Sequence, residues 1–253
     1  MRRSLTAVLL GTFTLRFSTG LTGALLVYYL AELQGFGADR VTAFEVGILT
    51  AAFYVAELVL SPVFGMLSDR LGSHRVMQYG PMFGAVAVVM TALTTDLFLL
   101  GFTRWLEGAA AAASIPSILG FIAVATSHDE ELRGRIVARF EAATLAGLGL
   151  GLVAAGGLWA LLDRNAFYLN AVLYGVSFLI YRYGVTDAGV AEAQAEEVAT
   201  ETEELGAGGV AAVSHGFSLA RYRSVLANPA VWLLAPTITT PPAMPIPMIV
   251  VRR

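Results

Sequence analysis

The sequence predicts an all-α membrane protein, with six transmembrane helices built as two inverted three-helix repeats. Three observations predict it. Of the 253 residues, 57% are hydrophobic and only 14% charged, with a mean hydropathy of +0.69. A soluble domain is nearer half apolar and about a quarter charged. The apolar residues fall into six long runs within the first 184 positions, and a bilayer-spanning helix needs about 20 in succession. Short motifs of the first three runs recur in the last three.

Hydropathy windows of about 19 residues place the spans at Leu5–Leu30, Phe44–Leu67, Val76–Thr95, Leu97–Thr126, Ile136–Leu162 and Ala166–Tyr183. The first begins like a secretory leader, because Arg2 and Arg3 precede the apolar run Ala7–Leu10. Apolar sequence then continues to Leu30 without a small-residue cleavage site, so it reads as a retained helix. The second runs out into Ser68-Asp69-Arg70, the fourth begins after Asp96, and the fifth stops at Asp163-Arg164. Arg2, Arg3, Arg70, Arg75, Arg133, Arg135, Arg139 and Arg182 fall at the N-terminus and alternate loops, against Arg40 and Arg164 opposite. This positive-inside bias places the N-terminus and the segment after span six in the cytoplasm of a multi-pass protein of the inner (plasma) membrane.

The repeat is carried by two matches. Arg16-Phe17-Ser18-Thr19-Gly20 in span one resembles Arg104-Trp105-Leu106-Glu107-Gly108 in span four, 88 residues on. Gly65-Met66-Leu67-Ser68-Asp69-Arg70 at the end of span two resembles Gly157 to Arg164 at the end of span five, with the aspartates 94 apart. Three spans is an odd number, so the second copy enters the membrane inverted, which is a transporter pattern.

The segment Gly65-Met66-Leu67-Ser68-Asp69-Arg70-Leu71-Gly72-Ser73-His74-Arg75 resembles the cytoplasmic loop motif of the major facilitator superfamily, between spans two and three. The motif is Gly, three residues, Asp, a basic residue, one residue, Gly and two basic residues. Here Ser73 and His74 stand in the basic pair, and Arg75 comes one position late. Glycines allow tight turns, and Asp69 can meet a helix N-terminus or an arginine. The resemblance implies half of a two-half fold, in which this loop latches the halves together. Arg104 with Gly108 and the alanines after it resembles the family's fourth-helix motif. Gly147, Gly149, Gly151, Gly156 and Gly157 resemble a degenerate antiporter motif, with Leu152 where proline is expected. The same glycines also read as close helix packing.

A charge at mid-bilayer costs about 2.5–3.5 kcal/mol on insertion scales, so intramembrane charges are site candidates. Four stand out: Arg16, Glu57, Arg104 and Glu107. Glu57 lies 12 residues before Asp69, roughly 18 Å along a helix. Arg104 and Glu107 are three apart and share a helix face. They read either as substrate-binding and proton-coupling groups lining a cavity or as structural ion pairs, Arg104 with Glu107 or Arg16 with Glu57. Tyr28, Tyr29, Tyr79, Trp105 and Trp159 read as interface belt or packing.

Composition excludes other chemistry. There is no cysteine, so no disulfide or thiolate nucleophile. The three histidines, His74, His128 and His215, are far apart, and no metal or cofactor is implied. The net charge of −3 gives no reason to expect nucleic acid. His-Glu-x-x-His and Gly-x-Ser-x-Gly enzyme motifs and an ATP-binding loop do not occur. The expected partners are a small-molecule substrate, the bilayer, and a second six-helix half or a homodimeric copy.

After residue 184 the character changes. Asp187 to Glu204 holds seven carboxylates and no basic residue, and with the amphipathic stretch Phe217–Leu226 reads as a cytoplasmic central loop over 185–228. Residues 229–253 begin a seventh helix at Ala230–Ile238, but Pro236, Pro241, Pro242, Pro245 and Pro247 crowd its end and break it. The expectation is a transporter cut at its midpoint near Thr237–Pro242, or a half that works with a partner. The expected function is proton-coupled secondary transport of a small solute by alternating access, with efflux preferred. The alternative is a fragment that does not transport.

Overall fold

The computed structural model describes residues 2–37, 40–127 and 129–185. The acidic loop, the amphipathic stretch and the seventh-helix segment expected beyond residue 185 lie outside the described residues. The described part is helical throughout: α1 (Arg2–Glu32), α2 (Ala43–Leu71), the single turn α3 (Ser73–Val76), α4 (Tyr79–Leu93), α5 (Leu97–Ala125), α6 (Glu130–Leu162) and α7 (Ala166–Gly184), with 3₁₀ turns at Leu33–Phe36 and Asp163–Asn165. They belong to one compact unit, Met1–Glu204.

The helix ends follow from polar caps that a hydropathy window cannot see. Thr42 and Glu45 close a capping box on α2, with Thr42 N donating to Glu45 Oε2 at 2.7 Å and Glu45 N to Thr42 Oγ1 at 3.3 Å. Asp96 caps α5 by accepting from Leu99 N at 2.9 Å, and Asp129 caps α6 by accepting from Leu132 N at 2.8 Å. Such caps satisfy the free N–H groups of a first turn. The Asp129 cap starts α6 six residues before the expected Ile136, adding polar turns at its end. The expected third span corresponds to α4, with the single turn α3 set before it across Met77-Gln78.

Four stretches are long and apolar enough to cross a membrane: Ala43–Leu71, Ser73–Leu93, Leu97–Ala125 and Glu130–Gly184. The last, of 55 residues, holds both α6 and α7. The first helix, with Arg16 at its middle, is not among them.

Packing crosses the repeat boundary. The most extensive contacts join α1 to α6 and α2 to α5, followed by α1 to α7, α4 to α5, and α4 to α7. Every one of these pairs takes one helix from the first three long helices and one from the last three. Exchanging α1, α2, α4 for α5, α6, α7 turns the α1–α6 pairing into α2–α5 and the α1–α7 pairing into α4–α5, and maps α4–α7 onto itself.

Glycines set the closest approaches. A Cβ at Gly20 of α1 would strike the Leu148 carbonyl oxygen of α6, and one at Gly108 of α5 would strike the Phe53 carbonyl oxygen of α2. Gly20 and Gly108 are the matched glycines of the repeat, so the same backbone contact is made twice. Gly147 and Gly151 face α1 at the Phe13 and Phe17 carbonyl oxygens, and a Cβ at Gly156 would lie 3.2 Å from Tyr28 Oη. Gly149 and Gly157 meet open space and take no part in this seam.

At the end of the unit holding the α6–α7 turn, Tyr29, Phe36, Trp159 and Phe167 form a ring cluster, with centroids 5.5–6.5 Å apart. Trp159 Nε1 donates to Glu32 Oε1 at 3.1 Å, Tyr29 Oη donates to the Thr94 carbonyl at 2.7 Å, and Arg164 lies 5.7 Å over Tyr29. Tyr29 and Trp159 are therefore packing residues, whereas Tyr28 and Trp105 are exposed.

Candidate functional site

Of the four charges picked from the sequence, Arg104 and Glu107 come together. Arg104 and Glu107, one turn apart on α5, form an ion pair with side chains 6% and 2% exposed. Small neighbours permit this: Gly108 to Ala113 are all buried, so α5 lies close enough to its partners to enclose the pair. Beyond the pair, Arg104 Nε has no hydrogen-bond partner.

Arg16 leaves α1 beside Gly147, whose absent side chain leaves room for it. It is 8% exposed, and its Nε is buried without a partner. Glu57 is half-buried on α2, close enough for the Arg16 charge to act on its carboxyl, although the two form no ion pair. Its backbone nitrogen would lie 3.1 Å from a Cβ at Gly108, which puts Glu57 beside the α5 charges. Arg16, Arg104 and Glu107 point into the six-helix unit, and Glu57 is the partly exposed member of the four.

Helix α7 supplies the facing wall, which the sequence reading missed. Asn170, Tyr174, Ser177 and Tyr181 are all buried and recur at spacings of three and four, which is one helix face. Asn170 Nδ2 donates to the Ser18 carbonyl at 3.1 Å and to Thr22 Oγ1 at 2.7 Å. Ser177 Oγ donates to the Gly11 carbonyl at 3.0 Å, and the Tyr181 hydroxyl meets Thr12 Oγ1 at 3.4 Å. Tyr174 meets Thr19 Oγ1 at 3.5 Å, and both Arg16 and Arg104 act on its hydroxyl. Four polar side chains on one face of an apolar span were the available signal.

The loop motif takes its predicted place between α2 and α4. Gly72 has φ +87°, a backbone that L side chains rarely adopt, and its N–H closes α2 on the Ser68 carbonyl at 2.9 Å. Ser68 Oγ donates to Ser73 Oγ at 3.1 Å. Gly65 has only the Pro116 side chain near it, and Asp69, Arg70 and Arg75 are exposed. His74, where the motif has a basic residue, is buried with Nε2 3.3 Å from the Tyr181 carbonyl, tying the loop to the end of α7.

With helix pairing, loop and buried charges in view, comparison with known proteins decides the family. The model of the Major Facilitator Superfamily matches residues 8–250. The chain belongs to the Major Facilitator Superfamily. Its relatives include the quinolone resistance protein NorA of Staphylococcus aureus (strain MRSA252), 26% identical over 182 residues, which is 71% of this chain and 44% of NorA. The multidrug resistance protein MdtG of Proteus mirabilis (strain HI4320) is 29% identical over 107 residues, 42% of this chain and 26% of MdtG. The chain thus spans under half the length of these relatives. It is a multi-pass membrane protein of an all-α class.

Proposed function

We propose that this chain forms one half of a plasma-membrane transporter that moves a small solute by alternating access, exporting it in exchange for protons. All six long helices cross the bilayer, with the N-terminus in the cytoplasm. Rocking of one half against another needs a second six-helix body, supplied by further chain, a partner subunit or a second copy. The superfamily membership and the resistance proteins among the relatives support transport and its outward direction.

One observation carries the coupling. Two guanidiniums and two carboxylates share the unit's interior, and only Glu57 is partly exposed. The group is neutral when Glu57 is ionised and carries +1 when Glu57 is protonated. A proton arriving at Glu57 therefore changes the charge balance around α1, α5 and α7, a change that a rearrangement of those helices relieves. Reconstituted vesicles test this. An imposed pH gradient should drive movement of an amphipathic fluorescent dye, and Glu57→Gln should remove the pH dependence. Unchanged transport and pH dependence in both Glu57→Gln and Glu107→Gln would sink the coupling. A folded protein that moves no dye in any gradient favours a fragment that needs its second half.

A further inference from the structure

We propose that Arg16 and Arg104, at matched positions of the two repeats, form an anion site for a carboxylate group of the transported solute. The inference rests on the transport reading above and adds the charge class of what is carried. Arg16 is nine-tenths buried, its Nε has no hydrogen-bond partner, and it forms no ion pair among the described residues. A guanidinium in apolar surroundings calls for a counter-ion. Arg104 keeps a spare Nε beyond its pairing with Glu107. Thr12, Arg16 and Thr19 share one face of α1, and Thr12 and Thr19 meet the Tyr181 and Tyr174 hydroxyls at 3.4 and 3.5 Å, which turns Arg16 toward those two rings; Arg104 acts on the Tyr174 hydroxyl as well. Guanidinium donors match the planar geometry of a carboxylate.

The surplus is of donors. Glu107 is already engaged, and Glu57 feels the Arg16 charge without forming a pair with it. A solute carboxylate would take up the interaction with Arg16 that Glu57 makes only at a distance. Glu57 is partly exposed, which opens the side of the cluster from which a solute approaches. Headgroup phosphates are out of reach, because Arg16 lies 13 residues beyond Arg3, roughly 20 Å into the helix. A cationic solute would meet two guanidiniums and one free carboxylate.

The test is binding of three matched probes to the purified full-length chain in detergent: cyclohexanecarboxylate, cyclohexylmethanol and cyclohexylmethylammonium. Titrations are followed by tryptophan fluorescence, with Trp105 next to Arg104 as a reporter. The carboxylate should bind about ten-fold or more tighter than either other probe. Arg16→Gln should bring it to the level of the alcohol, while Arg16→Lys, which keeps the charge, should retain part of the preference. Equal binding of all three, a preference for the ammonium, no binding of any probe, or an undiminished preference in Arg16→Gln would each overturn the site. Absent dye transport with the carboxylate preference intact would remove the transport reading and leave the site. Transport without that preference would do the reverse.

Discussion

Arg104 and Glu107 mark what a sequence tells about single residues. Their spacing of three puts them on one helix face, and the structure pairs them inside the unit with side chains 6% and 2% exposed. Removing one partner strands the other charge, which typically costs about 3–5 kcal/mol. Arg104→Ala should therefore lower the thermal unfolding midpoint in detergent sharply, whereas Arg104→Ala combined with Glu107→Ala should recover much of the loss. Equal destabilisation by the single and double variants would show that packing, not charge, matters here. The pair was legible because its geometry is local to one helix. Tyr174 was not, because its partner Thr19 comes from α1, and no spacing rule within α7 names it.

At the scale of elements, the glycines of α6 separate by helix phase. Gly147 and Gly151, four apart, lie against backbone atoms of α1, while Gly157 meets nothing within 4 Å. Gly151→Ala would press a methyl on the Phe17 carbonyl and come within 2.8 Å of Leu21 N. Overpacking of this kind costs about 1–3 kcal/mol, and backbone cannot step aside as a side chain can. Gly157→Ala meets open space and removes a helix-interior glycine, so it should be neutral or stabilise by up to about 1 kcal/mol. Unfolding midpoints of the two variants, compared with wild type, check the contrast, and equal shifts would contradict it. The sequence reading took these glycines as a group and left packing and an antiporter motif as alternatives. Which glycines pack could not be read, because that depends on which face α6 turns to α1. Helix ends were misjudged for a different reason: Asp129 extends α6 through polar turns, and averaged hydropathy discounts polar residues wherever they lie.

For the whole unit, the interleaving of the two repeats has a consequence for folding. The matched segments Arg16–Gly20 and Arg104–Gly108 made the repeat legible, but not its partners. A simple duplication could have given two separate three-helix bundles set side by side. Instead, the main contacts of α1, α2 and α4 are all with α5, α6 and α7. Short loops do not override this, because α1 and α2 follow one another in sequence yet pack chiefly on α6 and α5. The reason lies in the glycines: Gly20 fits the Leu148 carbonyl and Gly108 the Phe53 carbonyl, so each repeat carries the notch for a helix of the other. Without those contacts, Arg104 and Glu107 lose the walls that bury them, and the α1 side of the Asn170–Thr22 bond has no partner. Residues 1–95 made alone should therefore insert but remain sensitive to protease in detergent, as should residues 96–253. Co-expression of the two pieces should restore a protease-resistant complex that purifies through a tag on either one. A resistant first piece on its own would mean that the repeats are independent bundles, and that the exchange of partners is not what stabilises the unit.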